Sequence, residues 1–214
     1  DILFARAVVF FEGQTEEQAL PIWASRYWGS SIHELGFSFV RVNGTDYFPF
    51  IWLAKSLDIP WYVIADGETR PLADLEAALK KAGHANSAGC ANVVVLPNGN
   101  NFELQLLEDG YQAEVEAALD ELHGSAAYLD DFIAKNHGLP YPKGKGSRDY
   151  NSEGGRGRAA CDAMRAEKTK LAKPLARIIS DLVDPARRFP TQIERLFKAV
   201  GGAHGINKAE AQLP

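Results

Sequence analysis

The stretch RAVVFFEGQTEEQALPIWASRYW, residues 6–28, decides the fold because two hydrophobic periodicities meet in it. Residues 6–11 are β-branched and aromatic, which is the composition of a buried strand. Residues 15–28 then place apolar side chains at helical spacing: Ala19, Leu20, Trp23, Ala24 and Tyr27. The stretch therefore predicts a strand, a sharp turn allowed by Gly13, and a helix.

The same alternation continues along the chain. Further strands are predicted at residues 37–44, 60–66 and 91–99, with helices at 46–58 and 71–83 between them. Strands that alternate with helices form βαβ units, which build a parallel sheet with helices on both faces. We therefore predict an α/β domain over residues 1–110.

The pattern changes after residue 110. Two amphipathic flanking helices are predicted within 111–138, and the Gly-, Pro- and charge-rich segment 139–158 predicts a flexible basic loop. A helical C-terminal segment follows at 159–214, with its last helix opened by Pro190 and a frayed tail beyond about residue 203. These helices predict an additional α-helical subdomain beside the sheet.

Composition narrows the function classes. The chain has 214 residues, is 46% apolar and carries a net charge of -5, which argues against a uniformly basic nucleic-acid binder but leaves a local basic patch open. It has no apolar run of about 18 residues and no signal peptide, so we expect no membrane association and a cytoplasmic location. The chain begins at Asp1 rather than Met, and we expect it to be part of a longer protein.

Acidic residues follow the predicted strands. Ligands bind at the carboxyl ends of the strands in an open parallel sheet, and five acids fall at that edge: Glu12, Glu16, Asp66, Glu68 and Glu103. Each has an ordinary interpretation when taken alone, as a partner of a helix dipole, a turn or cap residue, or a surface residue.

Taken together, the five acids favour a metal site. Crowded carboxylates raise one another's pKa unless a cation neutralises them. The two cysteines are far apart, and the histidines lack metal-ligand spacing, so the ligands would be mainly carboxylates. This favours Mg²⁺ or Mn²⁺, and there are enough acids for two ions about 4 Å apart, which is typical of phosphodiester chemistry.

These motifs carry a family resemblance. An acid after the first strand in "EG", the turn Asp66-Gly67-Glu68 after the third strand and the βα alternation together resemble a Toprim domain, found in topoisomerases, bacterial primases, RecR proteins and certain nucleases. The longer motif FFEGQTEEQALPIWA and the helical extension resemble the Toprim nuclease half of OLD-family (overcoming lysogenization defect) endonucleases, most closely class 2.

The resemblance implies two-metal cleavage of DNA. The implied catalytic acids are Glu12, Glu16, Asp66 and Glu68, and the implied metal ligands are these four and Glu103. Glu68 stands where the Toprim pattern has a second Asp, so its carboxylate reaches one methylene further.

The resemblance also implies partners. Related full-length proteins carry an N-terminal ABC-type ATPase, and some are encoded beside a helicase and are linked to phage defence or DNA repair. This chain has no GxxxxGK[ST] motif, so no ATP site is predicted in it.

Basic residues supply a candidate DNA contact. They are concentrated after residue 142: Lys143, Lys145, Arg148, Arg156, Arg158, Lys168 and Lys170. A solvated loop and a polar helix face would explain the same run, whereas DNA binding would use it to hold phosphates. The OLD resemblance implies a catalytic lysine in this region. We predict Lys173, because Pro174 favours a helix start just after it, with Lys170 and Lys168 as alternatives.

Two other functions stay open. A Toprim module of a topoisomerase, primase or RecR-like DNA-binding protein would lack nuclease activity of its own. A receiver-like interaction domain would need two acids at the end of the first strand, and this chain has Glu12 alone there.

Overall fold

A four-stranded parallel sheet forms the centre of the molecule. The computed structural model describes residues 2–42, 44–142 and 146–209. The strands are β1 (Ala7–Phe11), β2 (Phe37–Arg41), β3 (Trp61–Ala65) and β4 (Val93–Val95), in the order β2-β1-β3-β4. Val9 of β1 pairs with Phe39 of β2 on one side and with Tyr62 of β3 on the other. The predicted α/β fold with a parallel sheet is confirmed.

Helices cover both faces of this sheet. They are α1 (Gln14–Trp28), α2 (Phe48–Ser56), α3 (Thr69–Lys81), α4 (Phe102–Glu108), α5 (Gln112–His123), α6 (Tyr128–Asn136), α7 (Gly155–Ser180) and α8 (Thr191–Ala203). Alternate side chains of β1 point to opposite faces, so Val8 and Phe10 join a core with α2 and α3. Val9 and Phe11 join the larger core, which α1 and α4–α8 build on the other face. None of the helices in the described ranges is long and apolar enough to cross a membrane.

The prediction that a helix begins at Pro174 is wrong. Helix α7 runs without a break from Gly155 to Ser180 and contains Pro174. A proline inside a helix removes one backbone hydrogen bond and costs about 3 kcal/mol. The packing of α7 against α1 and α5, with Leu171 and Leu175 buried, offsets this cost. The last four residues of the predicted loop 139–158 therefore belong to a helix.

The prediction of a frayed tail is wrong for residues 204–209. The backbone amide of Ala209 donates a hydrogen bond of 2.7 Å to the carbonyl of Tyr27 in α1. Lys208 lies over the ring of Phe189, with its Nζ 4.9 Å from the ring centre, and its Nζ is 2.9 Å from Glu194 Oε1. A polar, Gly-containing sequence thus docks because its aliphatic and charged groups find partners on α1 and α8.

Candidate active site at the carboxyl edge of the sheet

Glu12 and Glu16 come from the junction of β1 and α1. Glu12 directly follows β1, and Glu16 is buried in the first turn of α1. Between them Gly13 has φ -88° and ψ 154°, an extended conformation that any residue adopts, so the predicted sharp turn is not what requires glycine. A Cβ at Gly13 would lie 2.0 Å from Glu16 Oε2. Glycine is therefore needed for space, because the Glu16 carboxylate folds back against it.

Asp66 and Glu68 come from the turn after β3. Gly67 between them donates a hydrogen bond of 2.7 Å to the carbonyl of Asn100, and a Cβ there would lie 2.1 Å from the Leu96 carbonyl oxygen. The turn after β3 thus packs directly on the loop after β4. Asp66 is half-buried, whereas Glu68 is exposed at the residue before α3.

Glu103 and Lys168 complete this edge of the sheet, which we call the acidic rim: Glu12, Glu16, Asp66, Glu68 and Glu103. Glu103 is only 4% exposed and lies in the first turn of α4, which Asn101 caps by accepting a hydrogen bond from the Leu104 amide. Lys168 reaches the acidic rim from α7, with its Nζ 3.4 Å from Glu103 Oε1.

Burial and mutual repulsion raise the pKa values of three rim acids. Burial, reinforced by the nearby charge of Asp66, raises the pKa of Glu16 to about 8, and Lys168 opposes this rise. Burial also raises the pKa of Asp66 to about 7, with added repulsion from Glu12 and Glu103, while the Phe102 backbone amide donates to it and opposes the rise. The pKa of Glu12 is raised by burial too. These carboxylates therefore ionise reluctantly without a cation.

The donors present suit a hard divalent cation. Asp66 Oδ1 is buried and has no hydrogen-bond partner among the described residues, although a buried carboxylate oxygen normally has one. The rim offers only carboxylate oxygens, the ligands that Mg²⁺ and Mn²⁺ prefer. Within the described ranges, no three acidic, histidine or cysteine side chains form a complete metal-binding group. The acids thus lie along one edge and have the oxygen ligands that such an ion prefers, but no three of the described side chains are arranged to hold it together.

Of the three candidate catalytic lysines, the structure brings only Lys168 to the acidic rim. Lys170 is exposed and lies 3.8 Å from Glu167 on its own helix. Lys173 is exposed as well, and it lies about 140° around α7 from Lys168 at 3.6 residues per turn. The contacts of the described residues therefore favour Lys168, and the catalytic role of Lys173 stays an unsupported prediction.

The predicted DNA-binding arginines have partners within the chain. Arg156 bonds Glu116 through Nε and Nη2, at 2.9 Å and 2.6 Å, and Arg158 donates to the carbonyls of Asp149 and Glu153. Arg148 donates to the Pro140 carbonyl at 2.8 Å. These side chains tie down the segment before and at the start of α7. The predicted DNA contacts Lys143 and Lys145 lie outside the described residues.

Two residues near the rim were missed by the sequence analysis. The hydroxyl of Tyr47, just before α2, donates a hydrogen bond of 2.9 Å to Glu12 Oε1. Repulsion from Asp74 of α3 adds to the burial that raises the pKa of Glu12. The hydroxyl of Thr45 donates a hydrogen bond of 2.6 Å to Asp74 Oδ2. The contacts of both missed residues depend on which loops meet at the carboxyl edge of the sheet. The only sign of this in the sequence is that Thr45 and Tyr47 come soon after β2.

Comparison with known proteins agrees with this architecture. Residues 3–67, which run from before β1 to just after Asp66, match the family model "Overcoming lysogenization defect protein-like, TOPRIM domain". A search of curated proteins found no match.

Residues 3–67 hold three of the five rim acids, Glu12, Glu16 and Asp66, while Glu68 and Glu103 lie beyond them. The matched range thus covers β1 to β3 and the turn that begins at Asp66.

Solved structures extend the likeness over almost the whole chain. The C-terminal region of the Burkholderia pseudomallei OLD protein is 19% identical with a TM-score of 0.63, and the match covers 94% of this chain and 98% of that one. The C-terminal region of the Xanthomonas campestris pv. campestris OLD protein is 18% identical with a TM-score of 0.65, covering 95% and 96%. Residues 3–67 are thus similar to the OLD-like TOPRIM domain, and the chain as a whole has the fold of the C-terminal regions of OLD proteins.

Proposed function

We propose that this chain is a divalent-metal-dependent DNA endonuclease that cleaves phosphodiester bonds at the acidic rim. The observation that carries the proposal is the buried Oδ1 of Asp66, which has no hydrogen-bond partner among the described residues, beside the buried carboxylate of Glu16. Such a pair is destabilising unless a cation neutralises it. The OLD-like TOPRIM match supports a nuclease-type enzyme as the class.

The side chains of the rim have distinct tasks in this proposal. Mg²⁺ or Mn²⁺, as a pair of ions, would supply an activated water and stabilise the leaving oxygen. Glu12, Glu16, Asp66 and Glu103 would hold the ions, and Glu68 would join them from the exposed side of the rim. Because the pKa values of Glu16 and Asp66 are raised, these two acids would release protons as a cation binds.

Lys168 is the residue that we propose to contact the scissile phosphate of the DNA. Its side chain is 43% exposed, and its ammonium lies at the rim beside Glu103. A cation there would stabilise negative charge that develops on the scissile phosphate. DNA is the proposed substrate. The resemblance alone predicts the partners and the pathway: an ABC-type ATPase in the same full-length chain, a helicase encoded nearby, and a role in DNA repair or phage defence.

Nicking of supercoiled plasmid tests this proposal. The chain with Mg²⁺ or Mn²⁺ should convert supercoiled to open-circular plasmid, and Asp66→Asn should slow this by at least about a hundredfold because it removes a charged ligand without changing side-chain size. Glu121→Gln is the matched control, since Glu121 of α5 forms an ion pair with the exposed Arg177 of α7. It should nick at the wild-type rate.

Two results would contradict the proposal. Equal nicking by wild type and Asp66→Asn would mean that the acidic rim does not carry the reaction. Tight binding of Mn²⁺ and DNA without nicking under any divalent ion would favour the alternative, a Toprim module of a topoisomerase, primase or RecR-like protein.

A further inference from the structure

Tyr47 occupies an unusual position for a residue with a polar group. It lies in the connection between β2 and α2, and its side chain is fully buried, with a relative exposure of 0%. Its ring belongs to the core on the α2 and α3 face, together with Phe10 and Ile51. A buried tyrosine hydroxyl needs a hydrogen-bond partner, and here that partner is a rim acid.

The hydroxyl of Tyr47 is directed at Glu12. It donates to Glu12 Oε1 at 2.9 Å, whereas the carbonyl oxygen of Ile64 lies at the limit of hydrogen bonding, 3.5 Å away. Burial and the nearby acid charges raise the pKa of Tyr47 well above its usual value, so the hydroxyl stays protonated and acts as a donor. Among the described residues, Tyr47 is the side chain that hydrogen-bonds Glu12.

The connection that carries Tyr47 is itself held in place. The Tyr47 amide donates to the Thr45 carbonyl at 3.0 Å, and the Ile51 amide donates to the Tyr47 carbonyl at 3.0 Å. The hydroxyl of Thr45 binds Asp74 on α3. Because both its backbone and its ring are fixed, Tyr47 holds its hydroxyl at a defined point within hydrogen-bond distance of Glu12.

We propose that Tyr47 is a positioning residue, which fixes the Glu12 carboxylate through one oxygen and so presents Glu12 to a divalent cation at the acidic rim. The inference rests on the proposed function, because it gives Glu12 the task of a metal ligand. Hydrogen bonds to ligating carboxylates orient the ligand, and their loss typically weakens metal binding by about 10- to 100-fold.

Calorimetric titration of the chain with Mn²⁺ alone tests this inference. Tyr47→Phe keeps the buried ring and removes only the hydroxyl, and it should raise the Mn²⁺ dissociation constant by at least about tenfold. Tyr62→Phe is the matched control, because Tyr62 is also buried but belongs to the core on the opposite face of the sheet. It should bind Mn²⁺ as wild type does, and both variants should show the wild-type circular dichroism spectrum.

Glu12→Gln separates this inference from the proposed function. If Glu12→Gln weakens Mn²⁺ binding and Tyr47→Phe does not, the positioning role is wrong and the proposed metal site stands. If Glu12→Gln binds Mn²⁺ as tightly as wild type, Glu12 is not a ligand, and both the proposed ligand set and the role of Tyr47 are overturned. Weaker binding in both variants, with Tyr62→Phe unchanged, supports the inference.

Discussion

At the scale of the residue, the two glycines beside the rim acids provide space rather than unusual backbone angles. Gly13 makes room for the carboxylate of Glu16, and Gly67 makes room for the Leu96 carbonyl. Their neighbours differ in stiffness, since one is the end of a flexible side chain and the other is backbone. The same substitution should therefore have different effects at the two positions.

Gly13→Ala should impair the site more than the fold. The new Cβ would displace the Glu16 carboxylate, which lies 2.0 Å from where that atom would be, while the extended backbone accepts alanine. We expect the free energy of unfolding to change by less than about 1 kcal/mol and nicking to fall at least about tenfold. Chemical denaturation and the plasmid assay measure the two effects.

Gly67→Ala is the comparison for that experiment. Its Cβ would lie 2.1 Å from a backbone oxygen of the loop after β4, so it should destabilise the fold by more than about 2 kcal/mol. A large loss of stability in Gly13→Ala, with nicking intact, would contradict the space argument.

The sequence predicted where the rim acids lie better than it predicted which side chains hydrogen-bond them. Glu12 and Asp66 were found because each directly follows a buried strand, and the ends of parallel strands share one edge. Tyr47 was missed because an aromatic residue before a helix is usually a core residue, and the sequence does not show where its hydroxyl points. Its partner is 35 residues away along the chain.

At the scale of the element, α7 decides which lysine serves the rim. The sequence favoured a helix start at Pro174, because proline suits a first turn and disfavours helix at the residue before it. Packing of α7 on α1 and α5 overrides that preference, so the orientation of each lysine follows from one continuous helix. Lys168 then lies at the rim, and Lys173 lies about 140° around the helix from it.

Lys168→Ala and Lys173→Ala should therefore differ in activity. Removal of the Lys168 ammonium should slow plasmid nicking at least about a hundredfold, since the proposed role of this charge at the rim is to stabilise the reacting phosphate. Lys173→Ala removes an equal charge from an exposed position on the same helix and should stay within about threefold of wild type. The opposite ranking would restore Lys173 as the catalytic lysine.

At the scale of the whole molecule, the sheet is buried on both faces and open at its carboxyl edge. The apolar runs of β1 and β3 and the alternation of strands and helices were enough to predict this architecture. The docking of α5, α7 and α8 on a single face was not predictable, because amphipathic periodicity shows that a helix has a buried side but not which surface covers it.

The acidic rim should make the stability of the metal-free chain depend on pH. The pKa values of Glu16 and Asp66 are raised to about 8 and about 7 in the folded chain. Between about pH 5 and pH 8 the folded chain thus retains protons that the unfolded chain has released, so stability should fall as pH rises. Each group contributes a slope of at most about 1.4 kcal/mol per pH unit.

The most direct measurement of the central claim is the free energy of unfolding from pH 5 to pH 8, with and without Mn²⁺. Without the ion, wild type should lose stability as pH rises, and Glu16→Gln should show a flatter profile because it carries no ionisable group at that position. With Mn²⁺ in about hundredfold excess over its dissociation constant, wild type should gain about 2.7 kcal/mol at pH 8, since the ion binds the ionised carboxylates. A wild-type profile that is flat, matches Glu16→Gln and does not respond to Mn²⁺ would contradict the account.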